Sequence, residues 1–174
     1  MKKIFITGVS GVGKTAVIKE FQNRGFCAFD MDRVPGLCYW KNKQSGEKIS
    51  YKGRSREWLD ANAWICDITE LKDFLDKRDE EIVIMAGITS NSGEYLNLFD
   101  QVFLLQIGKE TLVHRINTRT EHDFGKAPAE KERILTTYKA REESLIQEGA
   151  ISINAEYPSP VIVDAIVSKI LYNS

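Results

Sequence analysis

The sequence predicts an α/β fold, a three-layer αβα sandwich around a five-stranded parallel sheet. Three observations carry that expectation. Short apolar runs alternate with helical patterns along the whole chain. The runs are apolar enough to be covered on both faces, as strands of a parallel sheet are. A glycine-rich segment, Gly8 to Thr15, joins the first run to the first helical pattern. A chain of 174 residues suits one domain, 1–174, and buries roughly two thirds of its unfolded surface without covalent staples.

Taken in order, Lys2 to Thr7 is a β-rich run that ends in glycine. From Lys14 to Arg24, Ala16, Val17, Ile18 and Phe21 share one side of a helix that Gly25 can stop. Phe26 to Phe29 is a second run, cut off by Asp30. The stretch 33–56 has no period and reads as an insertion. Beyond it Trp58, Ala61, Ile65, Ile68, Leu71 and Leu75 recur at helical spacing and predict one helix. Glu81 to Ala86 and Gln101 to Ile107 are the third and fourth strands, and Lys109 to Thr118 a helix. A polar loop spans 119–128. Pro128 then suits the first turn of a helix that carries Ile134, Tyr138, Arg141 and Leu145 on one face. Ile151 to Asn154 is the fifth strand, and Val161 to Leu171 the closing helix.

Composition narrows the function. At 43% hydrophobic and 28% charged, the chain is globular rather than disordered or fibrous. Lys and Arg (24) balance Asp and Glu (25), which argues against a nucleic-acid packaging protein or a membrane-surface binder. No apolar stretch approaches the ~18 residues of a membrane span. The N-terminal segment reads as a strand and not as a signal peptide. Cys27, Cys38 and Cys66 are odd in number and lack a CxxC pair, so reduced thiols and a cytoplasmic protein are expected. His114 and His122 stand apart from cysteine pairs, which disfavours zinc.

The sharpest motif is Gly8, Val9, Ser10, Gly11, Val12, Gly13, Lys14, Thr15, the G-x-x-x-x-G-K-[ST] pattern, in the strand–loop–helix setting it requires. Such a loop turns successive backbone N–H groups toward phosphate oxygens, and the helix that starts at Lys14–Thr15–Ala16 adds positive potential. Lys14 is expected to reach the β- and γ-phosphates and Thr15 to ligate Mg²⁺. The motif implies binding of ATP or GTP. An accidental glycine loop is the alternative, and eight fitting positions count against it.

With the motif near the N-terminus, a small size and this element order, the chain resembles the P-loop small-molecule kinases of the adenylate kinase and shikimate kinase group. The resemblance covers nearly the whole chain and implies the strand order 2-3-1-4-5, an acceptor-binding insertion at 33–56, a lid at 119–128, and ATP with Mg²⁺ as cofactors. It implies a metal-side role for Asp30 and an acceptor-side role for Asp32, in the D-x-D that ends the second strand. On an extended strand the two carboxylates would point the same way; a solvated turn is the competing reading. It places Arg115 and Arg119, four apart on one helix face, at the lid, where they would cover the adenine or clamp phosphates. Arg141 would contact a phosphate. Glu132, Glu142 and Glu143 offer surface ion pairs as the plain alternative. Asn154 to Pro158 would line the adenine, or merely close a turn. The third strand lacks a terminal acid, as in shikimate-type kinases, and Gly87 would let an acceptor approach the backbone beside Thr89, Ser90 and Asn91.

Arg54 and Arg56, with Tyr39, Trp40, Trp58 and Trp64, are candidates to bind the acceptor, Trp58 reading better as core. Three functions compete. The first is an ATP-dependent phosphotransferase acting on the hydroxyl of a small metabolite or nucleoside, with Lys14, Asp32, Arg115 and Arg119 as catalytic residues. The second is a nucleoside monophosphate kinase, which Arg54 and Arg56 would favour. The third is a nucleotide-binding regulatory protein with slow hydrolysis. The expected partner is a small-molecule acceptor, with no membrane or nucleic acid, and the chain a monomer or homodimer.

Overall fold

A computed structural model describes residues 1–51, 55–120 and 124–172. The elements run β1 (Lys2–Thr7), α1 (Lys14–Asn23), β2 (Cys27–Asp30), β3 (Cys38–Asn42), β4 (Lys48–Ile49), α2 (Arg56–Ala61), β5 (Asn62–Cys66), α3 (Ile68–Asp76), β6 (Ile82–Ala86), β7 (Gln101–Gln106), α4 (Lys109–Thr118), α5 (Pro128–Gln147), β8 (Ile151–Asn154) and α6 (Ser159–Tyr172).

Five strands form one sheet in the order β2-β6-β1-β7-β8. Every pair in it is parallel, with Ile4 opposite Ile84 on one side and Gln101 on the other. Numbered among themselves, these strands follow 2-3-1-4-5, as the resemblance implied. Alternate side chains feed two apolar layers, because strand neighbours point to opposite faces. Ile4, Ile6, Ile84 and Phe103 pack with residues of α1, α4, α5 and α6. Phe5, Val83 and Met85 pack on the other face with Leu71 and Leu75 of α3 and with Tyr95 and Phe99. The loops at the carboxyl edge of this sheet carry the site, as parallel α/β architecture requires.

Two expectations are corrected. The stretch after Arg33 is not irregular: β4-β3-β5 form a small antiparallel sheet, with Cys38 opposite Cys66 and Trp40 opposite both Trp64 and Ile49. The helix predicted from Trp58 to Leu75 is instead helix, strand, helix. Asn62, 5% exposed, stops α2 by donating to Trp58 O at 2.7 Å and accepting from Asn42 Nδ2 at 3.1 Å. Asp67 restarts the chain as α3 by capping Thr69 N and Glu70 N. Between them Trp64 and Ile65, strand-favouring residues, satisfy their backbone against β3. The three cysteines are free thiols. Among the described residues no helix is long and apolar enough to cross a membrane.

Candidate active site

The loop between β1 and α1 turns on glycines that no other residue replaces cheaply. Gly8 has φ +147°, and a Cβ there would lie 2.7 Å from Leu105 O. Gly13, at φ +112°, is the left-handed residue that opens α1. Lys14 folds back over this loop, donating to Gly8 O at 2.7 Å and Val9 O at 3.2 Å. Burial lowers its pKa from 10.5 to about 8, opposed by Asp32 and Asp30 and reinforced by Arg141 and Arg119. All four groups therefore lie within electrostatic reach of its ammonium.

Thr15 Oγ1 donates to Asp30 Oδ2 at 2.9 Å. Two hard oxygen donors thus adjoin at the start of α1, which fits Mg²⁺, a cation that takes few protein ligands and keeps waters. Asp30 ends β2, but Asp32 does not continue an extended strand. Met31–Arg33 form a 3-10 turn in which Asp30 Oδ1 accepts from Asp32 N at 3.1 Å. Strand alternation therefore does not put the two carboxylates on one side, because the chain bends at Met31. Both carboxylates nonetheless act on Lys14. Trp64 Nε1 donates to Asp32 Oδ1 at 3.0 Å, a contact across 32 residues that sequence reading missed.

Arg115 Nη1 donates to Val12 O at 2.7 Å and Nη2 to Ala155 O at 3.0 Å. One guanidinium thus joins the glycine loop to the turn after β8. Arg119 Nη1 donates to Ser10 Oγ at 3.1 Å. Arg119 is not on the helix: α4 ends at Thr118 and Arg119 is extended (φ −62°, ψ 145°). The two arginines still converge on the glycine loop. Ala16 lies in α1, exposed.

On the other side, Arg141 of α5 is half-buried and donates to Thr89 O. Desolvation lowers its pKa, and Tyr95 opposes the shift weakly. Among the described residues no carboxylate lies within 4 Å of its guanidinium.

Other expected residues go elsewhere. Arg56 forms a 2.6 Å ion pair with Glu132, both largely exposed. Arg54 lies outside the described residues, as does His122. Gly87 is needed for a different neighbour: a Cβ there would meet Met31 Sδ at 2.9 Å. Thr89 bonds Asn91 and Tyr95, and Asn91 clamps Cys66 N and O, so these polar residues fasten β5 to the sheet edge. Asn154 and Pro158 are exposed. The Asn154 side chain accepts from Glu156 N at 2.9 Å, and Pro158 O accepts from Val161 N at 3.0 Å at the start of α6.

Residues 4–136 match a family described as an AAA domain. No curated protein matches the sequence. Among solved structures, an unliganded sugar kinase from Janibacter superposes with TM-score 0.56 at 17% identity, covering 98% of this chain and 94% of the other. A deoxyadenosine kinase from M. mycoides with bound dATP gives 0.55 at 16%, covering 99% and 100%. A shikimate kinase from Aquifex aeolicus gives 0.52 at 17%, covering 98% and 97%. At these identities the likeness establishes the αβα fold that these kinases share.

Proposed function

The chain belongs to the AAA-domain family, a group of P-loop nucleotide-binding proteins, and from that premise we propose that it is an ATP-dependent phosphotransferase acting on a hydroxyl of a small molecule. The observation that carries this reading is the meeting of Lys14, the Thr15–Asp30 pair, Asp32 and the arginines Arg115 and Arg119 at one edge of the sheet. The fold shared with sugar, deoxyadenosine and shikimate kinases supports it.

The chemistry is in-line transfer of the γ-phosphoryl group. The acceptor oxygen bonds to Pγ as the bond from Pγ to the β–γ bridging oxygen breaks, and ADP leaves with that electron pair. The acceptor proton passes to Asp32 or, after transfer, to solvent. Lys14 and Arg119 neutralise charge that moves toward the leaving group, and Arg115 ties the glycine loop to the turn after β8, fixing the cradle's shape. Thr15 and Asp30 would hold Mg²⁺, which supplies further charge neutralisation at the phosphates. Nucleotide phosphates next to Lys14 favour its charged form and reverse the effect of burial.

Arg141 supports an acceptor that carries an anionic group besides its hydroxyl. The same observation favours, as a second reading, a nucleoside monophosphate acceptor. Arg56 no longer supports that reading, since Glu132 holds it.

The test is ADP release with ATP·Mg²⁺ and a panel of sugars, sugar acids, hydroxy acids, nucleosides and nucleoside monophosphates. An acceptor raises the rate well above background, and Lys14→Ala abolishes that stimulation while the fold is kept. Asp32→Asn lowers turnover on a hydroxyl acceptor by about 10²-fold or more and affects a phosphate acceptor far less. Unchanged turnover in Lys14→Ala would refute the assignment, and ATP binding without stimulation by any acceptor would favour a regulatory protein.

A further inference from the structure

The acceptor-side insertion and the lid-side helix meet at one carboxylate. Glu130, in the first turn of α5, has no exposed surface. Its Oε1 accepts from the Tyr51 hydroxyl of the insertion, and its Oε2 accepts from Gly125 N at 2.7 Å. Burying a carboxylate is costly unless its oxygens are bonded, and here two segments far apart in sequence supply the donors.

Contacts continue from Glu130 in both directions. Gly125 packs so closely that a Cβ on it would lie 2.7 Å from Arg119 Nη2, and Arg119 reaches Ser10 of the glycine loop. On the other side the Tyr51 ring stacks on Trp40 with centroids 5.7 Å apart, and Trp40 packs on Trp64, also at 5.7 Å. Trp64 then donates to Asp32. The ion pairs Arg56–Glu132 and Arg133–Asp60 tie α2 to α5 beside Glu130, and Trp40 of the insertion contacts Phe124 at 6.3 Å.

We propose that Glu130 is a positioning residue that couples the nucleotide side to the acceptor side. Phosphate on Arg119 fixes Gly125, and the Glu130–Tyr51 bond passes that constraint to the insertion and, through Trp40 and Trp64, to Asp32. This rests on the phosphotransferase reading for the identity of the two sides. Its consequence is that nucleotide binding alone changes the insertion, before any acceptor arrives.

The three tryptophans of the chain, Trp40 in β3, Trp58 in α2 and Trp64 in β5, lie in the small sheet and the helix between its strands, so intrinsic tryptophan emission reports on the region that packs against Tyr51 and Asp32. The experiment titrates the full chain with ATP·Mg²⁺, following heat in a calorimeter and emission in parallel. In the wild type, emission is expected to change with the same midpoint as the heat. Glu130→Gln removes one of the two acceptor oxygens. Tyr51→Phe keeps the ring on Trp40, deletes the donor and serves as the measurement if Glu130→Gln does not fold. In either variant ATP affinity should stay within about twofold while the emission change shrinks about fivefold or more. A wild-type emission that stays flat as heat reports binding would overturn the coupling. So would a Tyr51→Phe variant that keeps the full emission change, since the signal would then not pass through Glu130. Absence of any binding heat in the wild type would instead overturn the phosphotransferase reading, and the coupling with it.

Discussion

Lys14 shows how a residue's role and its cost are one property. An ammonium desolvated against the glycine loop binds its proton less tightly than in the unfolded chain, with a pKa of about 8 against 10.5. Below pH 8 both states hold the proton and the folded state bears the full cost of burying the charge. Between about pH 8 and 10.5 the unfolded chain holds a proton that the folded chain has released, so stability rises with pH across that window. Lys14→Met removes the charge and keeps the stem. At pH 7 it should stabilise the nucleotide-free protein by about 1 kcal/mol, less than the full shift because the residue keeps some surface in water and loses its bonds to Gly8 O and Val9 O. Urea denaturation at pH 7 and pH 10 checks this: the gain should be largest at pH 7 and shrink at pH 10. A destabilised Lys14→Met at pH 7 would contradict the burial argument.

At the scale of elements, the end of β6 and the turn after β2 hold each other in place. Gly87 leaves the room that Met31 fills, and Met31 sits between Asp30 and Asp32. A methyl group at Gly87 must displace Met31 and with it the turn that carries both carboxylates. Gly87→Ala should therefore cost about 1–3 kcal/mol in urea unfolding and lower turnover more than ATP affinity. Met31→Ala in the same chain should recover part of that turnover, and no recovery would mean that Gly87 acts through another contact. The break at Asn62 makes a related point about legibility. Trp58 to Leu75 has helical spacing throughout, and what interrupts it is a buried side-chain pairing with Asn42, a partner 20 residues away. Periodicity reports local geometry and carries no record of that partner.

At the scale of the molecule, one sheet carries the glycine loop and a second, small one carries the aromatic residues beside Asp32. A ligand that bridges α1, α4 and the glycine loop binds only the folded chain, so it stabilises the whole. ATP at a hundredfold excess over its dissociation constant should add about 2.7 kcal/mol. For a chain of this size that is a rise of roughly 5–10 °C in Tm. Differential scanning fluorimetry measures it, and the rise should vanish in Lys14→Ala. A shift that survives in that variant would place the nucleotide elsewhere.

The sheet, its layers and the glycine-loop cradle were legible in the amino-acid sequence. These depend on local signals: unbroken apolar runs for buried strands, helical periods between them, and glycines at the positions where Gly8 and Gly13 take positive φ. It also named Arg115 and Arg119, though their convergence on Val12 and Ser10 rests on where α4 packs and not on a four-residue spacing, since Arg119 has already left the helix. The rest came with tertiary packing. It made the stretch after Arg33 a sheet, turned Arg56 outward to Glu132, gave Asp32 its Trp64 donor, and buried Glu130 against Tyr51. Each of these depends on a partner tens of residues away that satisfies a polar group or fills a space that folding alone creates.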